Sequence, residues 1–203
     1  ISDKIYLEYF FEEEIKNNNL KILPVWWKDK VIEIFEYIKL PIKKEKSDKN
    51  IKGKVFCLTD TDSEIVPINL DNWIKDIILL KRLCNNKDKK TDLLEYSKTD
   101  SWETEIENSL IPKIFLETIK NFEQDLENLW ISISDFDIEW TLNTDFNFWL
   151  QLKAKKQIKM KEFFDLNNWG MKVNFANKYI ESSKENSDSW MPNWNQEIKD
   201  FFN

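Results

Sequence analysis

Two aspartates stand one residue apart at the end of a short apolar run in the segment KVFCLTDTDSE, residues 54–64. Val55, Phe56, Cys57 and Leu58 favour a strand, and Gly53-Lys54 and the acidic residues bound it. The pattern predicts a strand buried on both faces, as in a parallel sheet. Residues two apart on an extended chain point to the same side. Asp60 and Asp62 are therefore expected to leave the C-terminal end of that strand together, at the edge where open α/β sheets place their ligands. Two like charges this close repel unless a cation sits between them or one carboxyl holds a proton. The competing account is a solvated acidic turn, with Thr59 or Asp60 capping the next element.

The residue inventory narrows the chemistry. The chain has 203 residues and no histidine, which excludes Ser-His-Asp triads, Cys-His dyads and His-ligated zinc within it. Its two glycines, Gly53 and Gly170, exclude a Walker loop and a GxGxxG fingerprint. Cys57 and Cys84 have no metal-binding spacing and read as reduced, buried thiols of a cytoplasmic protein. What remains is carboxylate, lysine, hydroxyl and metal held by oxygen. A net charge of −7 argues against nucleic-acid binding by bulk charge. Lysines nevertheless cluster at 43–54, 81–90 and 153–161, as solvated surface or as a groove that follows a phosphate backbone. No apolar run approaches the ~20 residues of a membrane span, and no secretory signal is visible.

Elements must carry these residues to one place. Periodicity predicts a helix over 1–17, with Tyr6 and Phe10 on its apolar face, and a strand at Leu20–Trp26 that Pro24 interrupts. A helix over 28–40 and a lysine-rich loop over 41–52 lead into the strand before Asp60. A helix is expected from Asp71 to Leu83 and a short strand over Asp92–Ser97. This alternation predicts βαβ units and a mostly parallel sheet. Beyond residue 110 helices are expected at 112–130, 150–166, 171–182 and 196–202. The tryptophans read as packing anchors before base-stacking platforms. The expected division is an α/β core over 1–110 and a mainly helical part over 111–203.

Three motifs in this order resemble a toprim domain, specifically that of the OLD-family and anti-phage toprim nucleases. Ser2-Asp3-Lys4 opening a helix resembles the family's first aspartate motif, whose Glu-Gly would precede Ile1. Asp60-Thr61-Asp62 resembles the Asp-x-Asp at a strand end. Met171-Lys172-Val173-Asn174-Phe175-Ala176 resembles the distal lysine motif. The resemblance implies a toprim-like Rossmannoid parallel sheet flanked by helices, with a helical, aromatic-rich C-terminal extension. It also implies one or two Mg²⁺ or Mn²⁺ ions held by Asp3, Asp60 and Asp62, with Glu64 a further ligand. Lys172 would stabilise charge developing on the phosphate, with an exposed helix-start lysine as the plain alternative. Of Glu103, Glu105 and Glu107, one would join the site unless all three form an exposed acidic face.

The function so implied is metal-dependent phosphodiester hydrolysis of DNA, or of RNA, as the effector part of a bacterial anti-phage system. An ATPase module would lie upstream or on a partner chain, and an oligomer is compatible with the reading. Two alternatives stand beside it. One is a degenerate toprim domain that binds a partner without cleaving. The other is a different α/β phosphotransfer domain with an aspartyl nucleophile, such as a receiver or haloacid-dehalogenase-like fold.

Overall fold

The computed structural model describes residues 2–17, 20–25, 28–45, 53–61, 68, 72–85, 91–96, 104–135, 154–167, 170–186 and 191–203. Its helices are α1 (Ser2–Phe10), α2 (Glu12–Lys16), α3 (Lys28–Glu45), α4 (Pro112–Ile119), α5 (Glu123–Asn128), α6 (Ala154–Asp165), α7 (Gly170–Glu185) and α8 (Asn193–Phe202). The strands are β1 (Val55–Thr59), β2 (Ile78–Asn85) and β3 (Thr91–Glu95). The chain is therefore α/β and mostly helical, with a small sheet. Its contacts divide it into two compact units. One comprises Ile1–Pro24, Asp88–Lys90 and Ile106–Met191, and the other Val25–Lys87, Thr91–Glu105 and Pro192–Asn203.

The second unit holds the sheet, in the order β1-β2-β3. β1 and β2 run parallel, with Val55 opposite Ile78 and Thr59 opposite Arg82. β2 and β3 run antiparallel, with Arg82 opposite Leu94 and Cys84 opposite Asp92. The sheet is thus mixed, which corrects the expectation of a mostly parallel one. The physical reason lies in chain length. Only five residues separate Asn85 from Thr91, and a parallel crossover needs about a dozen or more.

Three further expectations are overturned, two in this unit and one, over residues 20–25, where the first unit ends and this one begins. Residues 78–83 were expected to end a helix, yet they form β2, preceded by one 3₁₀ turn at Asn72–Ile74. Trp73, Ile74, Ile77, Ile78 and Leu80 do keep helical spacing. The unbroken run from Ile77 to Leu80, however, is what a central strand buried on both faces requires. No strand forms over residues 20–25, where Leu23 and Pro24 are exposed. The α3 helix also runs past the expected stop at Leu40 and contains Pro41.

Both faces of the sheet are covered, as expected for β1. Phe35 and Ile42 of α3 pack with Cys57, Ile78 and Leu80. Successive strand side chains point to opposite faces, so Phe56 turns the other way. It meets Phe201 of α8 edge-on at 5.6 Å. Lys54 Nζ donates to the Phe201 carbonyl at 2.6 Å, and Lys81 pairs with Glu197. Within this unit α8 is therefore tied to the sheet at its middle and at its C-terminal end.

The first unit is built on α7, against which α1, α4 and α6 pack. Its interior is aromatic. Phe175 lies 4.8 Å from Phe115 and 5.3 Å from Phe164, and Phe122 meets Phe163 at 5.6 Å. Tyr6 of α1 meets Tyr179 of α7 edge-on at 5.8 Å. Helices expected over 1–17, 112–130, 150–166, 171–182 and 196–202 are present where these ranges are described, with breaks at Phe11 and at the 3₁₀ turn Lys120–Phe122; residues 1 and 150–153 lie outside the described residues. Of the tryptophans whose burial is described, Trp194 is buried, Trp73 is 38 % exposed and Trp130 is 85 % exposed.

Candidate functional site

The acidic motif begins where β1 ends. Asp60 follows Thr59 directly and is half-buried. It leaves the C-terminal end of the one parallel pair among the described residues. Asp62 and Glu64 lie outside the described residues. Thr61, the middle residue of the motif, is 3 % exposed. Its main chain forms an isolated antiparallel bridge with Thr104. Thr61 N donates to the Thr104 carbonyl at 2.9 Å, and Thr104 N to the Thr61 carbonyl at 3.1 Å. The Thr61 hydroxyl donates to the Leu83 carbonyl and accepts from Arg82 Nη1 at 3.1 Å.

This bridge sorts the glutamates that the sequence left open. By its register Asp60 stands opposite Glu105, and side chains directly opposite share a face. Glu105 is half-buried. Glu107 is not part of an exposed acidic face: it sits in a fully buried 3₁₀ turn, Ile106–Ser109. Glu103 lies outside the described residues.

Asp3 and Lys172 belong to the other unit. Asp3 occupies the first turn of α1 and accepts from the Ser2 hydroxyl at 3.2 Å. An acidic residue there suits the positive end of the helix dipole. Lys172 occupies the first turn of α7, where a cation is disfavoured by the same dipole. It is 8 % exposed and pairs with the buried Glu107 at 3.2 Å. Neither an exposed helix-start lysine nor an open phosphate-binding one matches this placement. Tyr6 completes the buried group: burial first, and then the neighbouring Glu107 charge, push its hydroxyl well above the usual tyrosine range.

Two further residues stand out: Glu107, which the sequence left among three candidates, and Arg82, which the sequence reading passed over. Glu107 is singled out only through the fold, since 65 positions separate it from its partner. Arg82 did carry a signal: it is the chain's only arginine among 30 basic residues. It is 1 % exposed on the central strand, and burial lowers its pKa from the usual arginine range.

The oxygen donors Asp60 and Glu105 suit a hard divalent cation in kind. Among the described residues no group of three or more carboxylates or thiols stands close enough to hold a metal ion. Comparison with protein-family models, with curated proteins and with solved structures gives no match to this chain.

Proposed function

We propose that the chain is a toprim-type, divalent-metal-dependent nuclease that hydrolyses phosphodiesters of DNA, or of RNA. In this reading it is the cytoplasmic effector part of a bacterial anti-phage system and works with an ATPase module upstream or on a partner chain. The supporting observation is the position of Asp60 at the C-terminal end of β1, where β1 and β2 run parallel and the Thr61–Thr104 bridge sets Glu105 opposite it. Asp60 and Glu105, with Asp62 and Glu64 next in the chain, are the residues that would hold Mg²⁺ or Mn²⁺. When bound, such an ion activates water and offsets charge on the scissile phosphate. The protein's own part is to hold Asp60 at a fixed strand end.

A second reading, a toprim-like module that binds a partner without cleaving, is favoured by Lys172. Its ammonium is engaged with Glu107 inside the first unit, so a phosphate would have to displace a buried carboxylate to reach it. The two readings diverge in one assay. Full-length protein is incubated with single- and double-stranded DNA and with RNA, in Mg²⁺, Mn²⁺ or chelator. Cleavage that needs the metal and falls at least about a hundredfold in Asp60→Asn and in Asp62→Asn supports the nuclease. Wild-type rates in either variant would overturn it. Absence of cleavage with the ATPase partner present would leave the binding module.

A further inference from the structure

Within the acidic motif, Thr61, between the two aspartates, is anchored through its main chain and its side chain. Thr61 has its N–H and carbonyl on Thr104, and its hydroxyl between the Leu83 carbonyl and Arg82. These bonds run in different directions. The bridge fixes the main chain, and the hydroxyl contacts tie the side chain to β2 at Arg82 and Leu83. Thr61, Thr104 and Arg82 are 3 %, 0 % and 1 % exposed, so water does not compete for the contacts.

A strand residue held inward obliges its neighbour to face the other way. Asp60 therefore cannot rotate into the core without breaking the Thr61 contacts. The anchor is also of a particular kind. A lysine, present everywhere else in this chain, offers one mobile point charge; arginine offers a rigid planar fork of donors. The only arginine stands where a rigid fork is useful, opposite Thr59 and beside the motif.

We infer that Thr61 is the positioning residue of the acidic motif, clamped by Arg82 and the Thr104 bridge so that Asp60 is held in one orientation, on the side away from Thr61. The inference rests on the reading of Asp60 as a metal-binding carboxylate. Thr61 itself touches neither metal nor substrate. Groups that orient ligands in this way typically govern metal affinity by about ten- to a hundredfold.

The test is calorimetric titration of Mn²⁺ alone into the full-length protein, with a thermal melt of each variant. Thr61→Val removes the hydroxyl at nearly constant shape and should weaken Mn²⁺ binding by about tenfold or more, while Thr61→Ser should stay within about twofold of wild type. A role confined to folding would lower the melting temperature of Thr61→Val and leave its affinity, measured where it is folded, unchanged; that result overturns the inference. If Thr61→Val does not fold, Arg82→Lys carries the test, because it keeps a donor and gives up the fork. Unchanged affinity in that variant would likewise overturn the clamp. Weak binding in Asp60→Asn with wild-type binding in Thr61→Val removes the clamp alone. Equal binding by wild type and Asp60→Asn, or none by wild type, removes the metal reading and the clamp together.

Discussion

Tyr6 carries a hydroxyl into an interior that offers it no hydrogen-bond partner among the described residues, although its ring is fully buried against Tyr179. A buried polar group left unsatisfied costs about 1–3 kcal/mol. Tyr6→Phe should therefore be neutral or stabilising by up to about 1 kcal/mol in urea denaturation. A loss of comparable size would reveal a partner for the hydroxyl. Cys57 gives a second residue-scale expectation. Burial pushes its thiol from 9.0 up to about 11. The folded state then holds a proton that the unfolded chain releases above pH 9. The stability this proton linkage supplies is whole below pH 9 and fades as pH rises toward about 11. Denaturation curves should show a decline on the order of 1–3 kcal/mol across that window, with the part between pH 9 and 10 reduced in Cys57→Ala. Burial also raises Cys84 from 9.0, so it adds to the decline from the same pH, whereas Tyr6 and Tyr179 are raised too but contribute only from near pH 10. An identical slope in Cys57→Ala would show that the thiol is not the linked group.

Elements were legible in the sequence where one face of a helix had to be apolar for many turns. The helices around Phe35, Phe115 and Phe175 emerged from periodicity because each buries a stripe against neighbours. β1 emerged because its apolar run ends abruptly in acid. β2 did not, since Trp73 to Leu83 satisfies helical spacing and only the sheet decides that Ile77–Leu80 must be covered on both faces. The antiparallel sense of β3 follows from the five-residue connection only once β2 is known to be a strand, so it was missed with β2. At the site, Asp60 at a strand end was readable, whereas the Arg82–Thr61–Thr104 contacts and the Glu107–Lys172 pair join segments distant in the chain. That last pair links α7 to the turn Ile106–Ser109 through side chains 11 % and 2 % exposed. Removing one partner of such a pair leaves an uncompensated buried charge, at a cost of about 3–5 kcal/mol. Lys172→Met and Glu107→Gln should each lose about that much in urea denaturation, and the double variant much less than the sum. If Lys172→Met stays within about 1 kcal/mol of wild type, α7 does not depend on the pair.

At the scale of the whole molecule, the net charge of −7 sets a condition on every experiment with divalent ions. Any cation relieves self-repulsion in an acidic chain, so stabilisation by Mg²⁺ or Mn²⁺ is not by itself a sign of a site. A specific site differs in saturating. A ligand that binds only the folded state adds about 2.7 kcal/mol at a hundred times its dissociation constant. For a chain of this length that corresponds to roughly 5–10 °C in melting temperature, taking about 2–4 °C per kcal/mol. Screening instead grows smoothly with ionic strength and is reproduced by NaCl. The expected outcome is a saturating rise with Mn²⁺ that NaCl at matched ionic strength does not give and that Asp60→Asn loses. Asp3→Asn separates the aspartates. A normal shift in that variant would confine the ion to the unit that contains Asp60, and a lost shift would make Asp3 a ligand as the toprim resemblance implies. An equal rise in wild type and Asp60→Asn would mean that the acidic motif holds no cation, and that the divalent ions act on this protein only through its overall charge.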